Sequence, residues 1–119
     1  MDKVYYIEVP KDEIANKRYE YNQQTEDEVY TLEMNWDEFC ILENTGLFDI
    51  INMECDVFGM ISLYEEDYLK YPGIEQGIEI IDRLIAENAD DEKAVEWLKK
   101  VREYFVMANE AKTQVGFIF

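Results

Sequence analysis

The chain has 119 residues, of which 48% are apolar and 14% aromatic, enough to fill one ordinary domain core and too many for a disordered acidic tail. Its 28 acidic residues against 11 basic ones leave a formal charge of −17, which would repel nucleic acid and anionic membrane and attract a cationic partner. No histidine occurs, so the commonest general acid or base, the Ser-His and Cys-His pairs and the main transition-metal ligand are all missing.

Lys3 to Val9 (KVYYIEV) is rich in β-branched and aromatic residues and predicts a strand that ends at Pro10. Residues 11–28 are polar and charged and read as a loop or a poorly anchored helix, the segment expected to move most. Val29 to Met34 alternates weakly as a second strand. Asn35 can cap a helix from Trp36 to about Asn44, with Asp37 and Glu38 in its first turn, the sign that its dipole favours. Gly46 suits the position just past that helix, and Leu47 to Cys55 is apolar enough to begin another.

Val57 to Leu63 reads as a buried strand or extended segment, with Gly59 marking a bulge or a close backbone approach. After Pro72–Gly73, Ile74, Ile78, Ile81 and Ile85 recur at helical spacing on one face. Asp90 or Asp91 caps a further helix, in which Val95, Leu98, Val101 or Arg102, Phe105 and Ala108 form the apolar stripe. Val115 to Phe119 closes the sequence as an apolar strand that must be paired within a sheet. This order predicts one α+β domain over residues 1–119, with helices packed on one face of a small mixed sheet.

Cys40 and Cys55 lack CxxC spacing and sit among apolar residues, which predicts two reduced, buried thiols rather than a disulfide or a zinc site. The five glycines are scattered, so no phosphate-cradling loop exists, and no apolar stretch approaches the length of a membrane span. Met1–Asp2–Lys3 runs at once into a strand-like stretch, so no signal peptide and a cytoplasmic protein without metal or cofactor are expected. The basic residues are interleaved with acids and make no nucleic-acid footprint.

What remains is acid clusters, and the first 70 residues hold most of the charge, with 18 acids and 5 bases. Asp90–Asp91–Glu92 is explained as a helix start. Glu65–Glu66–Asp67 differs because it lies between Tyr64 and Tyr68, and carboxylates beside aromatic anchors suit a surface lined with lysine and arginine. Asp56 and Asp37 are added to this candidate interface. Binding rather than catalysis is expected, since no DxDxDG loop or enclosed sugar cleft accompanies the carboxylates.

Leu63–Tyr64–Glu65–Glu66 leading to a helix with Ile80–Ile81, then Trp97–Leu98, Phe105, Ala108 and the closing Val115–Phe119, resembles small bacterial immunity proteins of contact-dependent growth inhibition and related polymorphic toxin systems. The resemblance covers roughly residues 60–119. It implies a cytoplasmic antidote that binds a cognate toxin domain, often a basic nuclease, and blocks its active site. The alternative is an acidic nucleic-acid mimic, of anti-restriction or anti-CRISPR type, that occupies a DNA-binding protein.

Overall fold

The computed structural model describes residues 3–57 and 60–119. The chain runs β1 (Tyr5–Pro10), α1 (Glu13–Glu20), a single 3-10 turn at Glu26–Glu28, β2 (Val29–Met34), α2 (Trp36–Asn44), α3 (Leu47–Glu54), β3 (Glu66–Lys70), α4 (Ile74–Glu87), α5 (Glu92–Ala111) and β4 (Gln114–Ile118). The α+β class is as the sequence predicts. The four strands lie in the order β2-β1-β4-β3, and every neighbouring pair is antiparallel, so the expected mixed sheet is corrected. Strands β3 and β4 are joined by two helices, α4 and α5. The α4–α5 pair runs out and back, so the chain re-enters the sheet antiparallel to β3, and β1 and β2 are likewise antiparallel with α1 between them.

Alternation along the strands sorts the two faces. Tyr5, Ile7 and Val9 of β1, Leu69 of β3, and Val115 and Phe117 of β4 are buried on the inner face, under α5 and the helices packed on it. An aromatic cluster closes one end of this core: the Phe39 ring stacks on Tyr5 at 4.7 Å, and Phe119 meets Phe48 and Phe39 edge-on at 4.9 and 5.0 Å. Helices α4 and α5 approach closely because Gly77 has no Cβ. One built there would lie 2.7 Å from the Phe105 ring.

The buried stripe of α4 is Ile74, Gly77, Ile80, Ile81 and Leu84; Ile74 and Ile81 are buried as expected, whereas Ile78 and Ile85 are only half-buried at its flank. In α5, Leu98, Val101, Phe105 and Ala108 are buried as expected, while Arg102 turns outward to Asp82 at 2.6 Å. The caps follow the sequence: Asn35 and Glu38 form a reciprocal box at 2.9 Å each way, and Asp91 accepts from the Ala94 amide. Gly46 adopts φ +83° between α2 and α3, the left-handed conformation that favours glycine.

Two further expectations are revised. Residues 11–28 are not a bare loop: Asp12 caps α1 through the Ala15 amide, and α1 buries Ala15 and Tyr19. This helix lies on the outer face of the sheet, so the helices do not all share one face. Tyr19 rests there over Gly116, donates to Glu8 at 3.0 Å and meets the Tyr68 ring edge-on at 5.8 Å. In the run 57–63, Phe58 and Gly59, with the bulge expected at Gly59, lie outside the described residues, and the described remainder forms no strand. The third strand instead begins at Glu66, within the acid cluster. Asp and Glu disfavour strands, but β3 is an edge strand, where charged side chains also discourage unwanted pairing.

Candidate functional site

The outer face of the sheet presents what the inner face excludes. Strand register places Glu33, Tyr6, Ile118 and Glu66 side by side across all four strands, and the next row is Thr31, Glu8, Gly116 and Tyr68. Three glutamates, two tyrosines and an isoleucine thus share one face at the end of the sheet that also holds Tyr5 and Met34. A recess of about 560 Å³ opens on this face, lined by Tyr6, Glu8, Gln24, Glu26, Thr31 and Glu33 among others. Its side chains offer acceptors far more than donors, and the buried Gln24 Oε1 has no hydrogen-bond partner among the described residues.

The acids here influence one another. Burial pushes the Glu8 carboxyl above its ordinary value; the Tyr19 hydroxyl opposes that by donating to it, and the Glu66 charge adds to the rise. Burial also drives the Tyr19 phenol far above the usual tyrosine range, with the Glu8 charge next. The Tyr68 phenol, whose hydroxyl donates to Glu66 at 3.1 Å, is pushed up to about 12 by burial first and by Glu66 second. Both phenols therefore remain neutral donors at ordinary pH.

The seven residues singled out from the sequence are divided by the fold. Glu66 and Tyr68 lie together on the outer face, because they alternate with Asp67 and Leu69. Asp67 is the clear correction: it points inward, only 4% exposed, and so cannot form part of an exposed interface. Its carboxyl accepts from the backbone of Ser62 and Met60, and desolvation pushes its pKa up. The tight period-two alternation of β3 carries it inside, where the run of three acids suggested one solvated loop.

Tyr64 and Glu65 occupy the turn before β3. Tyr64 is 83% exposed at φ +65°, with the Lys3 ammonium 3.9 Å from its ring centre, and Glu65 accepts from Ser62 Oγ at 2.7 Å. Asp37 is exposed in the first turn of α2 and shares a small recess with Lys3 and Trp36. Asp56 is exposed after α3, beside a recess that also touches Tyr68 and Lys70. Asp37 and Tyr64 therefore gather near Lys3, while Glu66 and Tyr68 face elsewhere.

The sequence reading missed Tyr6, Glu8 and Glu33. Their signal is the alternation Tyr5-Tyr6-Ile7-Glu8-Val9 and, in β2, Tyr30-Thr31-Leu32-Glu33-Met34, which puts every acid of both strands on one face. Among the described residues, no group of three or more Cys, Asp or Glu is placed to hold a metal ion, and no helix is long and apolar enough to cross a membrane. No protein-family model, curated protein or solved structure matches this chain.

Proposed function

We propose that this protein is a stoichiometric binder of a basic protein, acting in the cytoplasm as an immunity protein that neutralises a cognate toxin domain by covering its active site. The observation that carries this reading is the row Glu33-Tyr6-Ile118-Glu66 with Glu8 behind it, which gathers acids and aromatic rings from four strands on one side of the sheet. Aromatic side chains supply contact area at low entropic cost, and ionised carboxylates take paired hydrogen bonds from arginine. The charge of −17 adds long-range attraction for a cationic surface, which speeds capture ahead of a competing substrate.

The test uses the protein as bait for a lysate of its native cell, with elution by a salt gradient and identification by mass spectrometry. The reading expects one basic toxin domain, eluting only at high salt and lost when Glu8, Glu33 and Glu66 are all changed to Gln. Recovery of a DNA-binding or CRISPR protein would replace it with nucleic-acid mimicry. A partner retained in full by the triple variant would remove the outer face from the interface.

A further inference from the structure

The helical layer carries a second surface that the outer-face reading does not use. Between α2, α3 and residues 60–63 runs a groove of about 480 Å³, whose apolar lining includes Trp36, Phe39, Phe48, Met60, Leu63 and Phe119. Such a volume lies within the range of about 300–1,000 Å³ typical of sites that enclose a ligand or anchoring side chains. Phe39, Phe48 and Phe119 form its floor as members of the core, while Trp36, Met60 and Leu63 stand 50%, 66% and 37% exposed around it. Large apolar side chains scattered singly need no explanation, but three meeting at one groove mark a docking surface.

The groove is held open by its own wall. Asn52 grips Ile61 in both directions, donating to its carbonyl at 3.0 Å and accepting from its amide at 2.8 Å. Ser62 Oγ donates to Glu65 at 2.7 Å on the same wall. Asp67, carried inward by the alternation of β3, lies behind this wall, and its buried Oδ2 has no hydrogen-bond partner among the described residues.

Charge decides what the groove accepts. Glu43 and Asp49, one from each helix, both line it and are exposed, and neither has a cation partner among the described residues. They are close enough that the Asp49 charge, after burial, helps push the Glu43 carboxyl up. Two unpaired acids lining one apolar groove are complementary to a lysine or arginine that carries apolar neighbours. A second copy of this chain would bring the same acids against themselves, and anionic lipid headgroups would be repelled.

We propose that this groove docks an amphipathic segment of a basic protein, with its apolar side chains on the aromatic floor and a lysine or arginine between Glu43 and Asp49. The contact is independent of the outer sheet face.

The probe is a synthetic amphipathic helix of lysine and leucine without tryptophan, with polylysine of equal charge as the control. Trp36 is the exposed tryptophan and Trp97 is buried, so tryptophan emission reports on the groove. The lysine-leucine helix should shift Trp36 emission to the blue and shield it from quenching, and polylysine should do neither. Glu43→Gln with Asp49→Asn, and separately Met60→Ser with Leu63→Ser, should each weaken this response about tenfold. All four side chains are exposed, so urea midpoints should not fall and loss of folding cannot imitate the result. Glu8→Gln with Glu33→Gln and Glu66→Gln should leave the response in place.

The proposal is overturned if the helix binds without altering Trp36, or if neither groove variant weakens it. It is equally overturned if sedimentation shows a dimer that Met60→Ser with Leu63→Ser dissociates, which would give the groove to a second copy. Loss of the response in the outer-face variant alone would refute the groove while leaving the outer-face reading intact.

Discussion

Gly116→Ala tests how the outer face is built. In a strand interior, alanine is ordinarily favoured over glycine by about 0.5–1 kcal/mol. Here a Cβ on residue 116 would clash with the Tyr19 hydroxyl and stand 3.5 Å from the Tyr68 ring. Tyr19 is buried and tethered to Glu8, so its ring cannot swing aside without breaking that bond. Displacing it forfeits a charge-assisted hydrogen bond of about 1.5–3 kcal/mol and part of its packing, and overpacking alone costs about 1–3 kcal/mol. After the strand preference is subtracted, a net loss of about 1.5–5 kcal/mol is expected, or a fall of roughly 4 °C in Tm for each kcal/mol. The assay is urea and thermal denaturation of the wild type, both single variants and the double variant with Tyr19→Phe. Without the hydroxyl, the nearest ring atom lies 3.2 Å from the new Cβ, and the penalty should shrink to about 0.5 kcal/mol or less. A Gly116→Ala protein as stable as the wild type, or an undiminished penalty in the Tyr19→Phe background, would refute the placement of α1 on the outer face.

Three further outcomes follow from the same packing. Gly77→Ala would gain about 1 kcal/mol of helix propensity in an open site, but its Cβ meets Phe105 at 2.7 Å and Leu69 at 3.2 Å. Net destabilisation of about 1 kcal/mol is therefore expected by urea denaturation, and a stabilised variant would contradict the close α4–α5 contact. Glu8, Glu43 and Asp67 have carboxyls raised by burial, so the folded state binds protons more readily than the unfolded one, and stability should increase as pH falls from about 7 to about 5. Asp27 and Glu28 are lowered, chiefly by hydrogen bonds from Thr25, so their contribution is present above the ordinary carboxylate range and is lost only below about pH 4. A Tm that falls steadily from about pH 7 to about pH 5 would oppose this balance. Asp67→Asn should flatten part of the pH dependence, measured by the same melts, and an unchanged slope would mean that Asp67 does not titrate in that window.

Much of this architecture is legible in the residues. The Asn35 cap, the α2 boundaries, Gly46, and the pairing of Val115–Phe119 within a sheet all follow from local chemistry that tertiary packing does not oppose. Where reading failed, a longer-range contact decided. Residues 11–28 look unanchored because the anchor, Tyr19 over Gly116 and Glu8, joins positions far apart in the chain. Glu65–Glu66–Asp67 looks like a solvated loop because composition outweighs periodicity over three residues. Only pairing with β4 shows that Glu66 faces out and Asp67 in. Strand direction depends on which strands become neighbours, which local propensity does not specify. For the site, the acid-tyrosine composition pointed to Glu66 and Tyr68, but their neighbours Glu33, Tyr6 and Glu8 come from strands more than thirty residues away and needed the strand order.

The most direct test of the outer-face account is the affinity of the captured basic partner for the wild type and for the Glu8→Gln, Glu33→Gln, Glu66→Gln variant, each measured across a range of salt. The account predicts that wild-type binding weakens steeply as salt rises, and that the variant binds about a hundredfold more weakly with a shallower dependence. Equal affinities, or wild-type binding indifferent to salt, would contradict it.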